Sequence, residues 1–319
     1  MAGADATRSI ELQNRDAEIL RGLFDSRIMT LAHAAALHFE GRHEAAKKRI
    51  QKLKAAGLIG ERKRKVYEPS VLFLTRHGFT DLNDRGLLSD FPHITWPSLE
   101  KRLPVSELTL RHELEVMDVK AAFGAAMRKE TRYTLAEFST WPLLFQFKAS
   151  HDGGPQVLVK PDAFVRIGER SEGGAFEHTF FVEVDRGNEP LDILHRKALR
   201  YLDYYRRGGL AVRAGRSAME YKDFPFRVLF ILKSEQRRDN VATTLLNGNP
   251  PILTQVWLTT SKEQIASPLG SIWVRPKDWY QSNHDQGYPR SDQHAYTFQG
   301  TGTERHNVTQ HALFVNDNE

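Results

Sequence analysis

The sequence predicts a mixed α+β/α/β protein in two parts, a small helical domain with a basic hairpin followed by a larger α/β domain with a mixed sheet. Three observations predict it. Three short amphipathic patterns come first, ahead of two extended runs joined by a basic tip. Two strand-like segments, VLVKPDAFVRI and HTFFVEVD, then lead directly into a helical pattern, PLDILHRKALRYLDYY. Last, the nearly continuous apolar run Phe226–Leu232 reads as a strand inside a sheet covered on both faces.

The first helix is expected over Arg15–Arg27, with Ile19, Leu20, Leu23 and Phe24 as its apolar stripe. A second, Ala-rich helix is expected over Met29–Phe39, with Thr30 as its N-cap and Gly41 as its stop. The third runs from His43 to Ala56 and buries Ala46, Ile50 and Leu53. Its other faces carry Lys47, Lys48, Arg49, Lys52 and Lys54. The runs LIGERKRKVYE and SVLFLT form a hairpin whose tip holds Arg62, Lys63, Arg64 and Lys65, and TRHGFTDLNDRG returns to a helix.

Charge singles out the same region. The whole chain of 319 residues carries a formal charge of +5, yet the stretch from Arg42 to Lys65 holds ten basic residues against Glu44 and Glu61. A positive block of this kind faces nucleic acid or an anionic surface. Helix order, hairpin and charge together describe a winged helix-turn-helix over residues 10–84, in which the third helix enters the major groove of double-stranded DNA. The DNA-binding residues expected from it are Lys47, Lys48, Arg49, Lys52, Lys54, Arg62, Lys63, Arg64 and Lys65.

Residues 85–105 contain three prolines and no clean period, and read as a linker. The α/β domain is expected over 106–279. It opens on a long helix at Ser106–Lys129 and a strand in 131–148 that is broken at Pro142. A Gly-rich loop follows at Arg207–Arg216, then a helix at Arg237–Leu246 and a strand at Ile252–Thr259. Beyond Trp279 the polar residues 280–319 read as a poorly ordered tail.

The absence of cysteine excludes disulfides, thiolate zinc sites and cysteine nucleophiles. No apolar run reaches membrane-spanning length and no signal peptide is visible, so a cytoplasmic protein with no membrane partner is expected. No phosphate-cradling glycine loop is present, which argues against a nucleotide cofactor. A homodimer is left open.

The segment Val157–Ile167 alternates as one strand, with Lys160 and Asp162 on the face opposite its valines. A hairpin then brings Asp162 beside Glu183 and Asp185. Three carboxylates on adjacent strands need positive charge among them. A Pro-Asp on one strand, an acidic residue on the next and a helix directly after resemble the PD-(D/E)XK nuclease superfamily. Pro161-Asp162 and Glu183 match its first two elements. That resemblance implies a catalytic set of Asp162, Glu183, Asp185 and Lys197, with Asp162 and Glu183 as ligands to Mg²⁺ or Mn²⁺. The chain departs from the pattern at Asp185, where the superfamily expects Lys. Lys197, on the following helix with Tyr201 one turn later, is the preferred replacement, ahead of Lys160. Arg186 and Arg196 are alternatives that would neutralise the carboxylates with no metal.

The winged N-terminus, RHELEVMDV, KPDAFVRI, FFVEVDRGNE and KALRYLDYY, in that order over residues 15–260, resemble the replication-relaxation family of plasmid and mobile-element proteins. The resemblance implies a DNA-binding accessory factor with a nuclease-like C-terminal domain, the alternative being a metal-dependent endonuclease targeted by its winged helix.

Overall fold

The computed structural model describes residues 11–64, 66–141, 143–151, 153–171 and 174–279, together with residues 311 and 313. Lys65, Pro142 and nearly all of the tail at 280–319 lie outside the described residues. The chain divides into two compact units: residues up to Ala125 with Phe138–Leu144, and Ala126–Glu137 with the residues from Phe145 onward.

In the first unit, α1 (Asn14–Ser26) starts where the Gln13 N–H donates to the Asp16 carboxylate at 2.7 Å, satisfying one of the helix's orphan donors. Its stripe of Ile19, Leu20, Leu23 and Phe24 is wholly buried. The segment after it departs from expectation. Ile28–Thr30 forms a short strand, β1, and the second helix, α2, covers only Leu31–His38. Thr30 is its N-cap, accepting from the His33 N–H at 3.1 Å. Met29 is drawn out of the helix because β1 pairs antiparallel with a later strand, which overrides local propensity.

Helix α3 (His43–Ala55) buries Ala46, Ile50 and Leu53. Strands β2 (Ile59–Glu61) and β3 (Val71–Leu74) follow, and the three strands form an antiparallel sheet in the order β1-β3-β2. Helix α4 (Arg76–Asp84) is capped by Thr75, whose hydroxyl accepts from the Gly78 N–H at 3.1 Å. Gly78 is required there, because a Cβ would stand 2.3 Å from the Leu58 carbonyl oxygen. The unit continues through α5 (Trp96–Glu100) into α6 (Glu107–Met127).

The segment 85–105 is not a linker. Leu88 and Leu99 are buried in the first unit's core, and Phe91, Ile94, Trp96 and Leu103 pack against it. Phe91 lies 5.6 Å from Phe24 and Trp96 lies 5.9 Å from Phe79, ring to ring. Its prolines shape turns and the start of α5 rather than an extended connection.

The second unit is built on a five-stranded mixed sheet. Its strands β4 (Tyr133–Ser139), β7 (Ala163–Ser171), β8 (Gly174–Asp185), β9 (Arg227–Leu232) and β10 (Val256–Thr260) stand in the order β10-β9-β8-β7-β4. β10, β9 and β8 run parallel, and β7 is antiparallel to β8. A separate antiparallel ribbon pairs β5 (Phe147–Ala149) with β6 (Val157–Val159). The sheet is open, not a closed barrel. Helix α7 (Leu191–Arg206) links β8 to β9 by way of α8 (Gly209–Arg213), where the sequence suggests a loop. α9 (Glu235–Leu246) joins β9 to β10, and α10 (Ser261–Ala266) follows. Leu194, Ala198 and Tyr201 of α7 share one core with Phe181 of β8, Phe230 of β9 and Val241 of α9. In the tail, His311 bridges to Trp273 and Leu313 is wholly buried.

The expected single strand Val157–Ile167 is two strands in different sheets. Pro161 has no N–H to offer a ladder, and the pairing stops at Val159 and resumes at Ala163. Asp162 therefore sits just ahead of β7 rather than within a strand.

Candidate functional site

The second unit gathers the carboxylates as follows. Ala163 pairs with Val182, which places Asp162 beside Glu183 at the end of the hairpin. The Asp162 N–H donates to the Val182 carbonyl at 3.1 Å, and its Oδ2 accepts from the Val184 N–H at 2.8 Å. These two bonds, one in each direction, fix the carboxylate against β8.

Glu183 lies on the face of β8 that α7 covers, with only 3% of its surface exposed. Lys197 and Tyr201, one helical turn apart on α7, both reach it. Lys197 Nζ donates to Glu183 Oε2 at 3.2 Å, and the Tyr201 hydroxyl donates to Oε1 at 2.5 Å. The Tyr201 ring is held by Phe181 at 5.2 Å and Phe147 at 5.5 Å, so its hydroxyl is aimed by packing. Lys197 also donates to Glu189 at 3.0 Å.

Burial pushes the Glu183 carboxyl up to about 7, with Asp162 adding repulsion while Lys197 and Tyr201 favour the ionised form. For Lys197, burial disfavours the charge, but Glu183, Asp162 and Glu189 outweigh it and hold the ammonium above the ordinary lysine value. Tyr201 is pushed well up by burial and by Glu183, which keeps it a proton donor.

Asp185 has a separate arrangement. Its Oδ2 pairs with Arg237 Nε at 2.7 Å, and its Oδ1 accepts from the Gly187 N–H at 3.1 Å. Gly187 has φ +83, a turn that favours glycine. Arg237 also donates to the Glu189 carbonyl, tying down the loop that brings Glu189 to Lys197. Arg237 was not foreseen. It lies on α9, and no local pattern marks it as Asp185's partner. Of the other cations considered, Arg196 pairs with Asp192 at 2.7 Å and Lys160 is exposed.

The basic block of the first unit separates into two kinds of residue. Lys47, Lys48, Lys52 and Lys63 are exposed and have no acidic partner among the described residues. Arg49 is instead paired with Asp16, which is fully buried. Lys54 pairs with Glu61, and Arg62 pairs with Glu107 and donates to the Val105 carbonyl. Arg64 donates to Glu61 at 3.2 Å and to the Glu68 carbonyl at 2.9 Å while staying exposed. Arg49, Lys54 and Arg62 thus make ion pairs within the unit, whereas Lys47, Lys48, Lys52 and Lys63, expected with them as DNA-binding residues, do not.

A family model described as replication-relaxation matches residues 20–216, more than half of the chain. The chain belongs to the replication-relaxation family. The match takes in Asp162, Glu183, Lys197 and Tyr201 and stops short of β9 and Arg237. Replication-relaxation membership points to a replication-related role on a plasmid or mobile element. Neither a curated protein nor a solved structure matches the chain. Among the described residues, no helix is long and apolar enough to cross a membrane.

Proposed function

We propose that this replication-relaxation protein is a duplex-DNA-binding accessory factor of a plasmid or mobile element, reading DNA through a winged helix in its first unit. The order α1-β1-α2-α3-β2-β3 supports that reading, with α3 as the recognition helix and the β2–β3 hairpin as the wing. The observation that carries it is the two-sided character of α3. Ala46, Ile50 and Leu53 anchor one side in the core, while Lys47, Lys48 and Lys52 stand exposed on the rest. An anchored helix that presents lysines held by no acid suits phosphate contact. The test is the salt dependence of binding to a duplex selected from a randomised pool. Replacing Lys47, Lys48 and Lys52 with Ala should lower affinity and flatten the log–log salt slope by about 3, near one unit per lost phosphate contact. An unchanged slope overturns the reading.

A second reading, a metal-dependent endonuclease of PD-(D/E)XK type, is favoured by one observation: Lys197 touches Glu183 beside Asp162. Two adjacent carboxylates are a hard-oxygen donor set that fits Mg²⁺ or Mn²⁺, ions content with one or two protein carboxylates and several waters. Among the described residues, no group of three or more His, Asp or Glu stands ready to hold a metal ion. In this reading Asp162 and Glu183 hold the ion, which would supply Lewis-acid polarisation of a phosphate. Lys197 places positive charge beside that phosphate, and Tyr201 orients Glu183. Asp185 has no part, since Arg237 holds it. Mn²⁺ should then raise the melting temperature of the wild type by mass action and leave Asp162→Asn unmoved. Absence of both that shift and any cleavage of bound duplex overturns this second reading and leaves the first intact.

A further inference from the structure

The β5–β6 ribbon presents a basic outer face beside the carboxylate pair. Its residues alternate: Phe147, Ala149 and Val159 are buried, while Lys148, Leu158 and Lys160 stand exposed. Lys148 lies opposite Leu158 across the ladder, and Lys160 follows two residues after Leu158. The two lysines therefore sit on a diagonal of the ribbon, on the order of 7–8 Å apart. Leu158, 48% exposed, lies between them. The ribbon is held from within. The Phe147 ring stacks on Tyr204 at 4.0 Å and lies 5.5 Å from Tyr201, whose hydroxyl donates to Glu183. Arg213, also exposed, lies 4.1 Å over the ring of Phe145, two residues before Phe147. Neither Lys148 nor Lys160 pairs with an acid among the described residues, although Lys160 stands two positions before Asp162.

We propose that the outer face of this ribbon is a second DNA contact, on which phosphates of one strand of the bound duplex lie along Lys148 and Lys160 beside Asp162. This rests on the DNA-binding reading and deepens it, and it holds whether or not the carboxylates take a metal. The partner is a polyanion, as it is for the exposed lysines of α3. A phosphate drawn toward Asp162 and Glu183 meets two carboxylates, and only cations that those carboxylates have not consumed offset the repulsion. The chemistry selects the backbone over the bases. Lysine is a point charge suited to phosphate, and Leu158 offers the sugar between two phosphates an apolar surface. None of the three exposed residues is an aromatic on which a base could stack. A contact of this kind adds affinity without sequence preference.

The test uses the full chain and a duplex selected from a randomised pool, titrated with salt. The double variant Lys148→Ala, Lys160→Ala should bind about tenfold more weakly, with a log–log salt slope about 2 units shallower. Lys148→Arg, Lys160→Arg keeps the charge and should keep the slope. Lys262→Ala, at an exposed lysine of α10, should leave the slope unmoved. All three positions are exposed, so an unchanged melting temperature certifies each variant as folded. An unchanged slope in the double alanine variant, while replacement of Lys47, Lys48 and Lys52 still flattens it, overturns the ribbon contact and leaves the DNA-binding reading standing. An equal flattening in Lys262→Ala also overturns it, because the loss would then follow net charge and not the ribbon. A change seen only with a single-stranded probe overturns the duplex placement. Failure of the wild type to bind any duplex overturns both readings.

Discussion

Lys197 on α7 and Glu183 on β8 meet at 3.2 Å in a buried setting, where burial and the contact pull the Glu183 carboxyl in opposite directions. The Glu183 carboxyl, at about 7, is displaced upward from its ordinary 4.5 because burial outweighs the help of Lys197 and Tyr201. Between those two values the native state keeps a proton that the unfolded chain has released. Stability therefore falls as pH rises from about 4.5 to about 7, then levels off. The effect should be on the order of 1–3 kcal/mol and should vanish in Glu183→Gln. Denaturant melts of both proteins across that range check it; parallel pH profiles would contradict the assignment.

Arg237 and Asp185 form a pair whose side chains are 17% and 3% exposed. Arg237→Ala leaves the aspartate buried without its counter-charge and should cost about 3–5 kcal/mol. Adding Asp185→Asn should recover part of the loss, since the amide carries no charge to strand. Chemical denaturation of the single and double variants reads both outcomes.

What the sequence made legible was local. The apolar stripes of α1 and α3 follow from helical spacing, and the Thr30 cap from its chemistry. The meeting of Asp162, Glu183 and Lys197 follows from a hairpin that leads straight into a helix. What it concealed was set by partners far along the chain. Arg49 looks like its neighbours Lys47 and Lys48, yet Asp16, 33 positions earlier, takes up its guanidinium. Arg237 reaches Asp185 across 52 positions. Residues 85–105 read as a linker because prolines interrupt every period. Even so, Leu88 and Leu99 need no period to enter a core, only a chain that returns to it.

That return has a consequence for fragments. A piece ending at Arg85 loses Leu88, Leu99 and Met117, all buried in the first unit's core. Each buried Leu lost costs about 2–5 kcal/mol, so such a fragment should melt far below one that runs to residue 144. Circular dichroism melts of the two fragments check this. Equal stability would restore the linker.

The division of the basic block gives the sharpest contrast, because neighbouring residues should behave oppositely. Arg49→Ala removes the only guanidinium described on Asp16, a carboxylate with no exposed surface that also caps α1. The bare charge should cost about 3–5 kcal/mol, and Asp16→Asn in the same chain should return part of it. Lys48→Ala, one residue away, touches no acid and should leave stability within about 0.5 kcal/mol while weakening duplex binding. At a temperature where both variants remain folded, Arg49→Ala should bind duplex with an unchanged salt slope and Lys48→Ala with a slope about one unit shallower. Thermal melts and salt titrations on the same two proteins separate the roles. A stability loss in Lys48→Ala, or a flattened slope in Arg49→Ala, would reverse the assignment of the two residues.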